Sequence, residues 1–295
     1  MILKNCLTGD TVKEPSFQEA YEMLCQHAGE KGRSEALFGD SLPRVREAAP
    51  PFLTGMMFPE VYFEFPLSGD PFLDVSIFYG KIKPGMKIGS WDKGSGILDW
   101  VADTQKKYRD IAVCFELDTH LKDHKTPGII FEPRRAYETI KPFCDLIGES
   151  ETAELYLDMC DRMKNAWPLS YFGIFRGRDS SPLRISGYLT KEEKEAYSND
   201  PSAIAKVFDI IGFTAYSSQM LSLISKIMCI APDFLEFQLD VYPDHTMGDK
   251  FSLDVHIKDR QTDAIIEALS NGPISEIINI WKDLGVADDR ISLVK

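Results

Sequence analysis

The chain has 295 residues, 44% hydrophobic and 27% charged, the proportions of a globular protein able to bury a sizeable core. A formal charge of −13 argues against a nucleic-acid binder, whose surface must be basic to meet phosphate. No apolar run approaches the roughly 20 residues of a membrane span. The opening Met1-Ile2-Leu3-Lys4-Asn5-Cys6-Leu7 turns polar too soon for a secretory signal, so the sequence predicts a cytoplasmic protein. Six cysteines (Cys6, Cys25, Cys114, Cys144, Cys160, Cys229) show neither a CxxC pair nor zinc spacing. They read as buried free thiols behaving as small hydrophobes.

In chain order, Ser16-Phe17-Gln18-Glu19 has the form of a capping box. Phe17, Ala20, Tyr21, Leu24 and Ala28 then follow helical spacing. A second short helix is expected from Leu42 to about Ala49, stopped by Pro50-Pro51. The period then changes to two. Val61–Phe65 and Phe72–Ile77 alternate as strands around the turn cluster Ser68-Gly69-Asp70-Pro71. A helix over Ile97–Lys107 precedes a second hairpin, Ile111–Asp118 with Gly128–Glu132. Helical periodicity returns at Arg135–Ile147 and again around Tyr156, Met159 and Met163.

The third hairpin joins Leu169–Phe175 to Leu183–Leu189. Helices follow around Ile204–Ile211 and Leu221–Ile230. The fourth joins Phe234–Tyr242 to Phe251–Ile257 across Pro243–Gly248. A helix through Ile274, Ile277, Ile278, Trp281 and Leu284 leads to a last strand-like fragment, Ile291–Val294. The expected organisation is a single domain over 1–295, with N-terminal helices in 1–50 and repeated hairpin-helix units in 51–295.

Alternation sorts these strands into two faces. Val61, Phe63, Phe65, Leu73, Val75, Ile77, Val113, Phe115, Leu117, Leu235, Phe237, Leu239, Val255 and Ile257 form an apolar face that the helices must cover. The opposite face carries Glu60, Tyr62, Glu64, Asp74, Ser76, Cys114, Glu116, Asp118, Glu236, Gln238, Asp240, Tyr242, Ser252, Asp254 and His256. Two arrangements satisfy this pattern. One is an open sheet with water on its polar side. The other closes the sheet, removing its edges and enclosing a polar lumen. The sequence favours the second: a mixed α/β (α+β) fold, with an antiparallel β-barrel of repeated α-β-β units and helices outside.

Short motifs add to this pattern. Leu73-Asp74-Val75-Ser76 lies on the second strand, Val101-Ala102-Asp103-Thr104-Gln105-Lys106 on the helix before the next hairpin, and Asp240-Val241-Tyr242-Pro243 ends a later strand. Together with the repeat and the chain length, they resemble the ABBA (PT-barrel) aromatic prenyltransferases over roughly Val61 to Asp259. Leu73–Ser76 is similar to that family's Leu-Asp-Phe-Ser, whose aspartate binds magnesium in metal-dependent members. Glu236-Phe237-Gln238 stands where the family carries a basic pair.

The resemblance implies transfer of an allylic prenyl group from a diphosphate donor to an aromatic or nitrogen nucleophile. The leaving diphosphate must be neutralised by Arg, Lys or Mg²⁺. Arg176, Arg184 and Lys125 are the candidate donors to it, and Asp74, helped by Glu64, would hold Mg²⁺. Tyr62, Tyr188 and Tyr242 would shield a carbocation with their ring faces. Glu64, Glu116 and Glu236 are the candidate catalytic carboxylates, Glu116 or Glu236 taking the acceptor's proton.

The balance of charge leaves other readings open. Glu64, Asp74, Glu116, Asp118, Glu236, Asp240 and Asp254 face only Arg176, Arg184 and Lys125. Such a set repels a diphosphate unless a divalent cation intervenes, and it welcomes a guanidinium or ammonium. The expected partners are therefore a prenyl diphosphate and an aromatic, amine or peptide acceptor, with Asp240 and Asp254 among the binding residues. The alternatives are a barrel that binds a cationic peptide or amine without diphosphate chemistry, and a non-catalytic interaction protein. His120 and His124 flank a loop with Asp118 and Asp123, which reads either as loop polarity or as a metal site.

Overall fold

The structure is a computed structural model that describes residues 19, 21–22, 25–26, 33–53, 60–66, 68–82, 85–88, 92–121, 126–178, 181–231, 235–255 and 270–290. The expected capping serine Ser16, the last fragment Ile291–Val294, Lys125, His124 and His256 lie outside these residues. The backbone divides into two compact units: Met1–Ile129 with Arg260–Ile266 and Ile278–Lys295, and Ile130–Asp259 with Glu267–Ile277. No helix among the described residues is long and apolar enough to cross a membrane.

The expected mixed α/β class is observed, with helices packed against a sheet of eight strands that follow one another in chain order. The order has β1 and β8 at its two ends, and a pair closing them into a barrel is not among the described residues.

In the first unit, α1 (Ser34–Phe38), α2 (Ser41–Ala48) and α3 (Pro50–Leu53) precede β1 (Glu60–Glu64) and β2 (Asp74–Tyr79). Next come α4 (Asp92–Thr104), β3 (Ala112–Leu117) and β4 (Gly128–Glu132), the last running into the second unit. β1 pairs antiparallel with β2, and β2 with β3. Most of the apolar face is sealed: Phe63, Leu73, Val75, Ile77, Val113, Phe115 and Leu117 are at most 3% exposed, while Val61 and Phe65 are half-buried. α2 packs on β2 and α4 on β3.

Among the boundaries that differ from the sequence pattern, three have a plain local reason. Pro50-Pro51 open α3 rather than only stopping α2, because proline suits a first turn whose N–H groups have no intrahelical partner. The β1–β2 ladder ends at the pair Glu64 and Asp74, so β2 begins at Asp74 and not Phe72. On the β1 side Pro66 has no N–H to extend it. α4 starts at Asp92, ahead of Ile97, because Gly94 and Gly96 interrupt the apolar periodicity without breaking the helix.

In the second unit, a 3₁₀ turn (Tyr137–Thr139), α5 (Ile140–Ile147) and α6 (Ser150–Met163) precede β5 (Tyr171–Ile174) and β6 (Leu183–Leu189). Then come α7 (Lys191–Ser198), α8 (Pro201–Ile211), α9 (Ser218–Ile230), β7 (Leu235–Val241) and β8 (Met247–Val255). α10 (Pro273–Asp283) follows, its residues to Ile277 in the second unit and those from Ile278 in the first. β5 through β8 pair antiparallel in succession. A register shift between Leu239 and Val241 lets β8 start at Met247, ahead of the expected Phe251.

α7 has no counterpart among the helices expected from the sequence, although Thr190 and Glu193 form a reciprocal capping box at its start. Its helix is otherwise polar, so apolar periodicity gave no signal. The core here is aromatic. Phe131 stacks on Phe143 at 3.9 Å, with Tyr156 against Phe172 at 4.5 Å. Trp167 packs among Phe208, Phe237 and Phe251. Each ring so buried contributes about 1.5–3 kcal/mol over exposure to water.

Candidate functional site

The polar strand faces are the places to look for chemistry, and much of their surface is not open to water. Ser76, Asp74 and Glu116 are 5%, 6% and 7% exposed in the first unit, and Ser186 and Glu236 are 0% and 7% exposed in the second. A buried polar side chain must be paired or it costs free energy.

In the first unit, strand pairing lays Tyr62, Ser76 and Glu116 in one row across β1, β2 and β3, and sets Glu64 opposite Asp74. Ser76 Oγ donates to Glu64 Oε1 at 2.7 Å. Tyr62 is half-buried and Glu64 exposed. Asp74 Oδ1 accepts the backbone N–H of Thr119 at 2.6 Å. His120 Nδ1 lies 3.1 Å from Asp74 Oδ2 and 3.3 Å from Oδ1. Asp118, 5% exposed, completes a group in which one ligand atom each from Asp74, Asp118 and His120 lies within 4.8 Å of the others.

The segment that presents this group is held from several sides. Thr119 Oγ1 donates to the Leu73 carbonyl, and Arg44 Nη1 donates to the Thr119 carbonyl at 3.0 Å. Arg44 is itself fixed by Asp40 at 2.9 Å. The exposed His120 ring packs at a tilt against Phe72 with centroids 4.5 Å apart. Burial raises the Asp74 carboxyl above its ordinary range; the neighbouring His120 opposes this and Asp118 adds to it. Two carboxylates and an imidazole converging on one spot are a donor set suited to a divalent cation.

The second unit holds a separate network. Tyr171, Ser186, Gln238 and Ser252 line one row across β5–β8, with Tyr188, Glu236 and Asp254 in the next. Tyr171 donates its phenol to Glu236 Oε1. Gln238 Nε2 donates to the same oxygen at 3.0 Å and to Asp254 Oδ2 at 2.9 Å. Ser186 Oγ donates to the Phe237 carbonyl at 2.7 Å. The half-buried Tyr188 lies under the Arg134 guanidinium at 5.6 Å, and Arg134 pairs with Glu132 at 2.7 Å. Burial first, and Glu236 second, push the phenols of Tyr171 and Tyr188 up.

The basic candidates are engaged locally. Arg184 Nε pairs with Asp240 at 3.1 Å, its guanidinium 4.9 Å from the Phe175 ring. Arg176 donates to Glu149 at 2.7 Å and to the Ile147 carbonyl at 2.6 Å, closing the C-terminal end of α5. Tyr242 is half-buried at the head of the β7–β8 turn, its N–H donating to Thr246. The structure therefore brings Tyr62, Glu64, Asp74 and Glu116 onto one face in the first unit. It brings Arg184, Tyr188, Glu236, Asp240 and Asp254 onto another in the second.

Sequence reasoning did not single out Thr119, Arg44 or Tyr171. The Asp-Thr-His run at the end of β3, read against Asp74 on the neighbouring strand, was the available signal for the first site. Tyr171 had none, because its partner Glu236 is 65 residues away. No family model, curated protein or solved structure matches the chain.

Proposed function

We propose that the chain is a metal-assisted, prenyltransferase-like transferase that uses the polar face of β1–β3. The observation that carries this reading is the convergence of Asp74, Asp118 and His120, with Asp74 at the position where the resemblance puts a metal-binding aspartate. The burial of Ser76 and Glu116 beside it supports an enclosed polar site of the kind that a closed barrel would provide.

The donor set fits a divalent cation: two carboxylates supply hard oxygen ligands and balance its charge. Bound there, such a cation would neutralise the diphosphate, a task for which the described residues of β1, β2 and β3 carry no lysine or arginine. The reaction breaks the allylic C–O bond, with its electron pair leaving on the diphosphate. A C–C or C–N bond forms to an aromatic or nitrogen nucleophile, whose proton passes to Glu116. Tyr62, in the same row, would offer its ring face to the positive carbon.

The test is calorimetric titration with dimethylallyl diphosphate, with and without Mg²⁺, on the native chain and on Asp74→Ala. Metal-dependent binding that the substitution abolishes supports the transferase. Absence of heat under every condition removes the diphosphate and turns the search to cationic peptides and amines.

A further inference from the structure

Resting on the reading that β1–β3 hold a divalent cation, we infer that the ion is a transition metal of the Mn²⁺, Fe²⁺ or Zn²⁺ kind rather than Mg²⁺. The ligands are Asp74, Asp118 and the Nδ1 of His120.

The argument begins with the third donor. Magnesium is bound through carboxylates, substrate phosphates and its own waters, and an imidazole nitrogen adds little to it. The same nitrogen is a strong ligand for borderline metals, whose affinity for mixed N/O sites rises along the first transition row. His120 is the residue that separates the two cases, and its position is fixed rather than incidental. It is exposed, yet its ring rests on Phe72 at 4.5 Å and its Nδ1 faces the Asp74 carboxylate at 3.1 Å.

The surrounding contacts are those of a supported centre. Asp118 and His120 flank Thr119, and Thr119 is tied at its N–H to Asp74, at its hydroxyl to Leu73 and at its carbonyl to Arg44. One residue thereby sets the spacing of all three ligands. Its N–H occupies Asp74 Oδ1, which orients that carboxylate, the usual service of a residue behind a metal ligand. Three protein donors leave positions for water or a phosphate oxygen, and the exposure of His120 opens that side.

The experiment is titration of the metal-stripped full-length chain with Mn²⁺, reading free Mn²⁺ by electron paramagnetic resonance, followed by competition with Mg²⁺ and with Zn²⁺. No diphosphate is added. The expected result is one Mn²⁺ per chain, displaced by Zn²⁺ and held about tenfold or more tighter than Mg²⁺. His120→Gln, which puts a side-chain amide beside Asp74 in place of the imidazole, is expected to weaken Mn²⁺ by about tenfold or more while leaving Mg²⁺ unchanged. Asp74→Asn is expected to lose both ions.

Equal affinity for Mn²⁺ and Mg²⁺, unmoved by His120→Gln, would overturn the inference while leaving the metal-assisted reading in place. Binding of neither ion, with a normal circular dichroism spectrum, would overturn both. Prenyl transfer assayed in chelator then reports on the transferase independently.

Discussion

Tyr171 and Glu236 stand on β5 and β7 with β6 between them, and the Tyr171 phenol donates to Oε1 of Glu236 across that strand. Both are buried, at 8% and 7% exposure. Gln238 donates to the same oxygen at 3.0 Å. Removing the phenol deprives a buried carboxylate of a close donor, and hydrogen bonds to charged groups contribute about 1.5–3 kcal/mol. Tyr171→Phe is therefore expected to destabilise the fold by about 1–3 kcal/mol in urea unfolding. Glu236→Gln in the same background is expected to recover part of that loss, because the neutral amide does not carry the penalty of a buried charge. Additive losses in the double variant would show that the two residues are not coupled.

The same burial makes the fold sensitive to alkali. Tyr79, Tyr156 and Tyr171 have phenols pushed well above the ordinary tyrosine range, burial being the largest cause in each. An unfolded tyrosine ionises near pH 10. Above that pH the unfolded chain gives up protons that the folded chain retains, so stability falls as pH rises. The contribution is fully present below about pH 10 and is lost progressively above it. Titration of the chain's 11 tyrosines at 295 nm should show a normal group and a second group that ionises together with loss of near-ultraviolet circular dichroism. Reversible ionisation of all of them on an intact fold would contradict the burial.

What the sequence made legible follows from range. Period-two alternation is a local property, so it sorted Phe63, Val75, Phe115 and Leu239 onto the buried face and Glu64, Asp74 and Glu116 onto the other. It also placed Asp74 within a strand, Phe72–Ile77, whereas the β1–β2 ladder puts it at the start of β2. It did not show that Asp74 meets His120, because that contact spans 46 residues and depends on β2 pairing with β3 in one particular register. Nor did it reveal that Asp74, Ser76, Glu116 and Glu236 are buried. Alternation distinguishes two faces but not whether the polar one meets water. Arg176 lies beside a turn, and its contacts with Glu149 and the Ile147 carbonyl are likewise made with residues distant in sequence, which a local pattern does not show.

Gly187 is needed for a reason independent of any catalytic role. A Cβ at this position on β6 would come within 2.3 Å of the Pro168 carbonyl oxygen and 2.8 Å of the Phe237 ring. The carbonyl belongs to the backbone and cannot rotate aside. Overpacking of this kind costs about 1–3 kcal/mol, sometimes more. Gly187→Ala is expected to destabilise the fold by that amount, read as a lower urea midpoint, whereas Gly85→Ala, where a Cβ meets nothing but φ is +82°, tests backbone strain alone. An unchanged midpoint for Gly187→Ala would mean that β6 and β7 approach less closely than described.

Lys194 joins two helices from inside. It is 5% exposed on α7, and its Nζ donates to the carbonyl of Ala231, the residue that caps the C-terminal end of α9. The last carbonyls of a helix lack intrahelical partners and carry the negative end of its dipole, so a lysine there supplies both a donor and a favourable charge. The neighbouring Ser225 Oγ donates to the Ser198 carbonyl at 2.6 Å, fastening the other end of α7 to α9. Lys194→Met keeps the aliphatic stem and removes the ammonium, so its effect isolates the polar link. Loss of a charged hydrogen bond to a buried carbonyl is expected to cost about 1–3 kcal/mol. The accompanying change should be local, with faster amide exchange in the last turn of α9 and little in α6. Unaltered exchange at Ala231 would show that the α9 terminus is held by packing, and that Lys194 is buried for its stem rather than its charge.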